Sequence, residues 1–465
     1  MTRVWWCVAA CVLIAGACTE AAQQPTTSGS TTPPVATTPT TPSAPASGAP
    51  ATGVGEAPPT DSVGMPDDGS VIGAYAGRQW FAGSAPTSAS PADATAEPLV
   101  IGMINQENSP VGSFPEIRAA VEAAVAWINA ELGGVNGRPI DLRTCITSFS
   151  AEQSQACAQK MVQAGAVAVL SGIDITATGS LPVLEQNGIP MISVLPTTLA
   201  ELRSSNDFSF SGGITGAYVA FVADAHERGI DSVAIAYGDF ESFNVPATEY
   251  GAKVAEILGM GVTLIPFGIG TTDYLPVVQA AIDSGAGAIT IGAADTACAP
   301  IVKALDDLGY AGQLYMVGAC AAPQILAQIP DSAQARVIFN SEGPAVAGAE
   351  ASMFFDVTEA YATEPAGGAG TIGFRAILNL WAAMRAVPGD VSSEAIIEVL
   401  RSSVDEPSFW GHAYTCDGKQ VPGFPALCSP QQTLFSIVAD DAPATPTVTD
   451  WIDVPALVAT LTPPN

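Results

Sequence analysis

The chain has 465 residues, of which 45 are acidic and 15 basic, giving a net charge of −30. That charge would repel a polyanion, which argues against nucleic acid as a partner. Hydrophobic residues make up 48% of the chain, enough for two packed lobes, and with two histidines in all a zinc cluster or other resident metal is not expected.

Arg3 gives a small positive start, and Val4 to Ala17 is almost continuously apolar. Ala15-Gly16-Ala17 then places small residues before Cys18, completing the build of a secretory signal. The run falls short of the roughly 20 residues that a membrane span needs. Ala15-Gly16-Ala17-Cys18 also resembles a bacterial lipobox, which implies that Cys18 is lipidated and becomes the new N-terminus. The alternative is an ordinary signal peptide cleaved near Ala17. Both place the folded body outside the cytoplasm. Residues 18–97 read as a disordered Thr-, Pro- and Ser-rich tether, too poor in apolar anchors to fold. As a coil its about 80 residues would span roughly 50 Å. An apolar island, Val71 to Phe81, interrupts it and either docks on the body or does nothing.

From Pro98 the pattern changes. Leu99 to Ile104 reads as a buried strand, and Pro115 to Leu132 as a helix with Ile117, Val121, Val125 and Ile128 on one side. Gly133-Gly134 stops that helix. Further strands are expected at Pro139–Leu142, Ala166–Leu170, Met191–Val194, Val233–Tyr237, Thr263–Phe267, Ala288–Ile291 and Leu314–Val317. Helices are expected between them, at Ser154–Ala164, Ala217–Arg228, Val245–Leu258, Pro276–Ser284 and Ala299–Leu308. This alternation predicts an α/β protein with doubly wound parallel sheets. Eight strands divided four and four near Ser211-Gly212-Gly213 predict two lobes. Ser392–Arg401 reads as a helix, and Trp410–Cys416 and Thr433–Val438 as strands around a Gly- and Pro-rich turn.

Beyond the leader and Cys18, six cysteines remain: Cys145, Cys157, Cys298, Cys320, Cys416 and Cys428. An even count in an exported chain points to disulfides. Fifteen pairings are possible. The short spacings favour Cys145–Cys157, Cys298–Cys320 and Cys416–Cys428 as structural staples.

Val121 to Leu142, VEAAVAWINAELGGVNGRPIDL, closely resembles the first helix and second strand of type I periplasmic binding proteins of the Leu/Ile/Val-binding branch. Gly188-Ile189-Pro190-Met191-Ile192-Ser193 resembles a junction of that family. Phe409-Trp410-Gly411 followed by Asp417-Gly418 resembles its closing hairpin. The likeness covers roughly residues 98–440. It implies two α/β lobes joined by a three-crossover hinge, with a small molecule held between them. The lobe boundaries it suggests are 98–212 for the N-terminal lobe and 213–340 for the C-terminal lobe. Residues 341–390 would return to the first lobe and 391–440 to the second, before a tail at 441–465.

The resemblance also implies site positions. Phe114 falls where the family has an aromatic wall. The carboxylate cradle falls on Gly172 to Thr176, including Asp174 and Thr176, and on Pro196-Thr197-Thr198. Thr176, Thr197 and Thr198 would donate hydroxyl hydrogen bonds, or serve as helix caps and turn formers. Phe243 matches an aromatic of the opposite lobe, near Asp239 and Glu241. The family's amino-acid binders use an acid after the strand ending at Val317. Here Gly318-Ala319-Cys320 has none, so either Asp295 in the neighbouring loop replaces it or the ligand is not an α-amino acid but a carboxylate, amide, short peptide or aromatic solute.

No G-x-S-x-G, P-loop or H-E-x-x-H motif is present, so enzymatic activity is not expected; a hydrolase built from distant residues is a remote alternative. The reading is a monomeric, lipid-anchored solute-binding protein on the outer face of the membrane. It would use no cofactor, capture a small polar molecule such as an amino acid, amide or related carboxylate, and hand it to an ABC transporter permease. A same-fold sensor or envelope receptor is the alternative.

Overall fold

The computed structural model describes residues 69–109, 112–268, 270–293, 295–344, 348–437 and 445–463, and leaves aside the side chains of residues 295, 323 and 324. The leader, Cys18 and most of the expected tether lie outside the described residues. Among the described residues no helix is long and apolar enough to cross a membrane.

The chain enters as a strap rather than as loose tether. A single helical turn, Val71–Ala74, is capped by Ser70, and a small hairpin follows, β1 (Gln79–Trp80) against β2 (Gly83–Ser84). Residues 70–85 therefore correct the expectation of a disordered segment running to residue 97. Val71, Ile72, Tyr75, Trp80 and Phe81 are buried in the core of the first lobe. Glu131, itself buried, receives the backbone N–H groups of Val71 (2.9 Å) and Ile72 (2.6 Å). The apolar island is thus a docking sequence whose partner lies about sixty residues downstream.

The first lobe holds a parallel five-stranded sheet. Its strands are β3 (Leu99–Gln106), β4 (Ile140–Thr147), β5 (Ala168–Ser171), β6 (Met191–Ser193) and β7 (Asp207–Phe208), in the order β4-β3-β5-β6-β7. Apolar runs make these strands because both faces are covered by helices. The Pro115–Glu131 helix starts on a proline and buries Ile117, Val121, Val125 and Ile128, as the periodicity predicts. The Gly133-Gly134 stop and the Asn136-Gly137 turn all have positive φ. A side chain at Gly134 would collide with the Arg138 carbonyl, and the Gly134 carbonyl accepts Trp381 Nε1 (2.8 Å).

The second lobe has a seven-stranded sheet. Strands β8 (Ser232–Gly238), β9 (Gly261–Phe267), β10 (Ala288–Gly292), β11 (Gln313–Met316) and β12 (Val337–Ser341) run parallel. Strands β13 (Thr433–Ser436) and β14 (Thr445–Pro446) close its edge antiparallel, giving the order β14-β13-β12-β11-β10-β8-β9. The split is therefore five and seven, not four and four. Expected helix Val245–Leu258 is one helical stretch in three pieces. Pro246 has no N–H to donate, and the turn Pro246–Gly251 widens to π geometry.

The chain crosses between lobes three times: after β7, after β12 and before β13. The second return differs from the expected boundaries. The helix Ser393–Ser402 buries Ile396 and Leu400 in the first lobe, and Phe409, Tyr414, Cys416 and Cys428 join the same core. Residues 391–416 therefore belong to the first lobe, whereas Val421, Phe424 and Leu427 pack into the second lobe's core ahead of β13. Trp410–Cys416 is not a strand; one bridge joins Glu406 to Tyr414, and Trp410 has φ of 41°. Three disulfides form with the expected pairing, Cys145–Cys157, Cys298–Cys320 and Cys416–Cys428, at Cα separations of 5.6, 5.5 and 4.4 Å.

Candidate ligand-binding cleft

In parallel α/β lobes, ligands meet the carboxyl ends of strands and the starts of the helices that follow. Here those ends from both sheets face one cleft of about 650 Å³. The first lobe contributes Phe114, Ile173, Ile175, Leu195 and Thr197, which follow β3, β5 and β6. The second contributes Phe240 and Phe243 after β8, Phe267 at the end of β9, and Val317 after β11. Trp410, Phe354 and Phe435 complete a wall that is largely aromatic and aliphatic.

Three of the eight expected ligand residues lie on this wall: Phe114, Thr197 and Phe243. The Phe114 ring folds over Gly112, whose φ of 130° and missing Cβ make room for it. The Phe243 ring rests over Gly238. Thr197 points its hydroxyl at protein rather than at the cavity, donating to the Asp174 carbonyl (3.0 Å).

The others sit elsewhere for identifiable reasons. Asp174 is fully buried and off the wall, accepting from Ser154 Oγ (2.6 Å), Thr147 Oγ1 (3.3 Å) and Thr176 Oγ1 (2.7 Å). It is the organiser of a hydroxyl cluster, and Thr176 is one of its donors. Thr198 caps the Leu199–Arg203 helix in a reciprocal box with Glu201: the Glu201 N–H donates to Thr198 Oγ1 (3.1 Å) and the Thr198 N–H to Glu201 Oε2 (2.9 Å). The spacing Thr198-x-x-Glu201 carries that signal in the sequence. Asp239 is exposed and accepts from Asn244 Nδ2 (3.1 Å), away from the wall. The side chain of Asp295 lies outside the described residues, although Thr296 and Ala297 beside it line the cleft.

Behind the wall lies a buried acidic pair. Ser193 Oγ contacts both Glu201 Oε1 (3.0 Å) and Asp207 Oδ2 (2.6 Å), and one hydroxyl proton cannot serve two carboxylates. Burial raises Asp207 well above its ordinary value and, with Asp174 nearby, pushes Glu201 up to about 7.

Two residues absent from the expected site occupy its floor. Glu342 follows β12, and its Oε1 accepts Ser211 Oγ (2.5 Å) and the backbone N–H groups of Gly212 (2.9 Å) and Gly213 (3.3 Å). It therefore caps the Gly213–Glu227 helix, where a negative charge meets the positive end of the helix dipole. Arg375 Nη1 donates to Glu342 Oε2 at 3.3 Å, and both residues line the cleft. The pair ties the first and second crossovers to the first-lobe helix Gly370–Ala386. Arg375 could have been flagged from sequence as the lone charge in the apolar stretch Gly373 to Leu378; Glu342 has no such local mark.

Two sheets with crossing connections around a closed-floored cleft define a two-lobed ligand-binding protein. Residues 98–423 match the model of the Periplasmic binding protein family, and the chain belongs to that family, whose members work outside the cytoplasm. Among curated proteins no sequence matches. Solved structures share the fold. A fatty acid ABC transporter substrate-binding protein from Thermomonospora curvata matches with TM-score 0.66 and 15% identity, over 81% of this chain and 98% of that one. A solute-binding protein of an ABC transporter from R. palustris, in complex with 4-hydroxybenzoate, gives 0.64 and 18%, over 77% and 97%. A leucine-binding protein from Thermotoga maritima gives 0.62 and 17%, over 75% and 98%.

Proposed function

We propose that this chain is the solute-binding subunit of an ABC importer, held to the outer face of the membrane through Cys18 and acting as a monomer. The observation that carries this is the 650 Å³ cleft, walled by both lobes and floored by the crossovers. Hinge closure around a molecule in such a cleft buries it and presents a closed form to a permease. The wall also favours a ligand with a mainly apolar body over the small polar molecule that the family resemblance suggests. Of its three described acids, Glu342 and Glu364 pair with Arg375 and Arg118, and Glu116 is also partnered, so none stands free for an amino-acid ammonium.

Trp410 reports on the test. Its indole lines the cleft, with Nε1 donating to the Pro344 carbonyl (3.2 Å) across the second crossover. Ligand addition is expected to change tryptophan fluorescence and reduce the radius of gyration in X-ray scattering. The fluorescence change should largely vanish in Trp410→Phe while the compaction persists. Ligand binding without compaction would remove the capture-and-close reading. The anchor is tested separately: Cys18→Ala is expected to shift the protein from the membrane to the soluble fraction. Retention in the membrane fraction would refute lipidation at Cys18.

A further inference from the structure

Arg375 is buried, 5% exposed, yet among the described residues its one hydrogen-bond partner is Glu342, Glu350 acting on it through its charge alone. A guanidinium carries five N–H donors in a fixed fork. Here one of them reaches an acceptor, at 3.3 Å, longer than the roughly 2.7–2.9 Å usual for charge-assisted pairs. Its Nε is buried with no acceptor at all. Glu342 is differently placed: Ser211, two backbone N–H groups and the helix dipole already offset its charge. The pair is therefore lopsided. Among the described residues, Glu342 Oε1 takes three donors from the protein and Oε2 takes only Arg375, while the cation keeps unused donors on the wall of a largely apolar cleft. Leaving such a group without acceptors is costly, and the cost is relieved if a ligand brings them.

We propose that Arg375 anchors the carboxylate of a ligand whose remainder is apolar and which carries no ammonium group: an aromatic or acyl monocarboxylic acid. This deepens the solute-binding reading and rests on it. The planar fork matches two carboxylate oxygens, which one ester or hydroxyl oxygen does not. Phe114, Phe243, Phe240 and Trp410 supply the surface for the apolar remainder. Their rings also exclude water and strengthen the ionic contact. Among the described residues, each acid on the wall, Glu116, Glu342 and Glu364, already has a partner, so an α-amino acid's ammonium would have to displace one.

The test is calorimetric titration of the full chain with benzoate, decanoate, their methyl esters and leucine. One of the two acids is expected to bind at least about tenfold more tightly than its ester and than leucine. Arg375→Gln alone would strand the Glu342 carboxylate and could unfold the chain. The paired variant Arg375→Gln with Glu342→Gln removes both charges and keeps the shape. It is expected to weaken the acid at least about tenfold and leave the ester within about twofold. An ester binding as tightly as its acid, or an unchanged acid affinity in the folded paired variant, overturns the Arg375 anchor while leaving the cleft a solute site. Tightest binding of leucine overturns it too. If no probe binds the folded protein, the anchor and the apolar-solute reading both fall.

Discussion

A chain truncated to begin at Pro98 is expected to be less stable than one beginning at residue 69 by on the order of 5 kcal/mol or more. Composition invites that truncation, because Pro98 is where alternating strands and helices begin. The strap nevertheless belongs to the core. Trp80 packs against Trp127 (6.1 Å between ring centroids) and Trp381 (6.0 Å), and Phe81 against Phe409 (5.3 Å). Removing one buried tryptophan side chain costs about 3–5 kcal/mol, and the truncation removes Trp80, Phe81, Tyr75, Ile72 and Val71 together. It also withdraws two of the four donors held by Glu131, leaving Trp127 Nε1 (3.0 Å) and Tyr361 Oη (2.6 Å). A buried carboxylate short of donors adds its own penalty. The effect should reach the cleft, because Glu350, which accepts the Trp410 N–H (2.6 Å), also lies against the Phe81 backbone. Urea unfolding of the two chains decides it; matching midpoints would make the strap a passenger. Trp80→Ala in the longer chain should lose about 3 kcal/mol by itself.

The second large effect is on pH. Glu201 ionises at about 7 in the fold against an ordinary 4.5, and Asp207 is raised as well, burial being the main cause in each. The folded state then binds more protons than the unfolded state between those values, so stability falls as pH rises. Stabilisation from Glu201 is fully present below about 4.5 and is lost as pH passes through about 7. A shift of that size corresponds to about 3 kcal/mol. The urea midpoint is expected to be higher at pH 5.5 than at pH 8. Glu122 and Glu350 are raised in the same direction, so wild type alone cannot isolate the pair. Asp207→Asn, which needs no proton to face Ser193, should stand nearer to its pH 5.5 stability at pH 8. An unchanged pH difference in this variant would show that the pair ionises freely in the fold.

The buried acids show why the site was only partly legible. Thr176, Thr197 and Thr198 each follow a predicted strand, as a hydroxyl cradle would, and hydroxyls beside a predicted strand end can serve a ligand or the protein equally well. What decides is the acceptors they meet, two carboxylates and the Asp174 carbonyl. Asp174 and Glu201 sit behind the cleft and take those donors inward. Phe114 and Phe243 were easier, since each follows a strand whose carboxyl end points at the cleft in any fold of this class. Glu342 and Arg375 are 33 positions apart and meet only because the second crossover ends beside the Gly370–Ala386 helix.

The sequence by itself determined the strand–helix alternation from Leu99 to Val317, the Gly133–Gly137 turn, the family and the three short disulfide loops. Each rests on local information: periodicity, a backbone needing positive φ, or a spacing of 12 or 22 residues between cysteines. Only the tertiary structure decided that the Val71–Phe81 island belongs to the first lobe, that the Ser393–Ser402 helix returns there, and which polar groups face the cleft. Those outcomes depend on what an apolar stripe or a buried charge finds across the chain, and burial is a property of partners rather than of sequence neighbours.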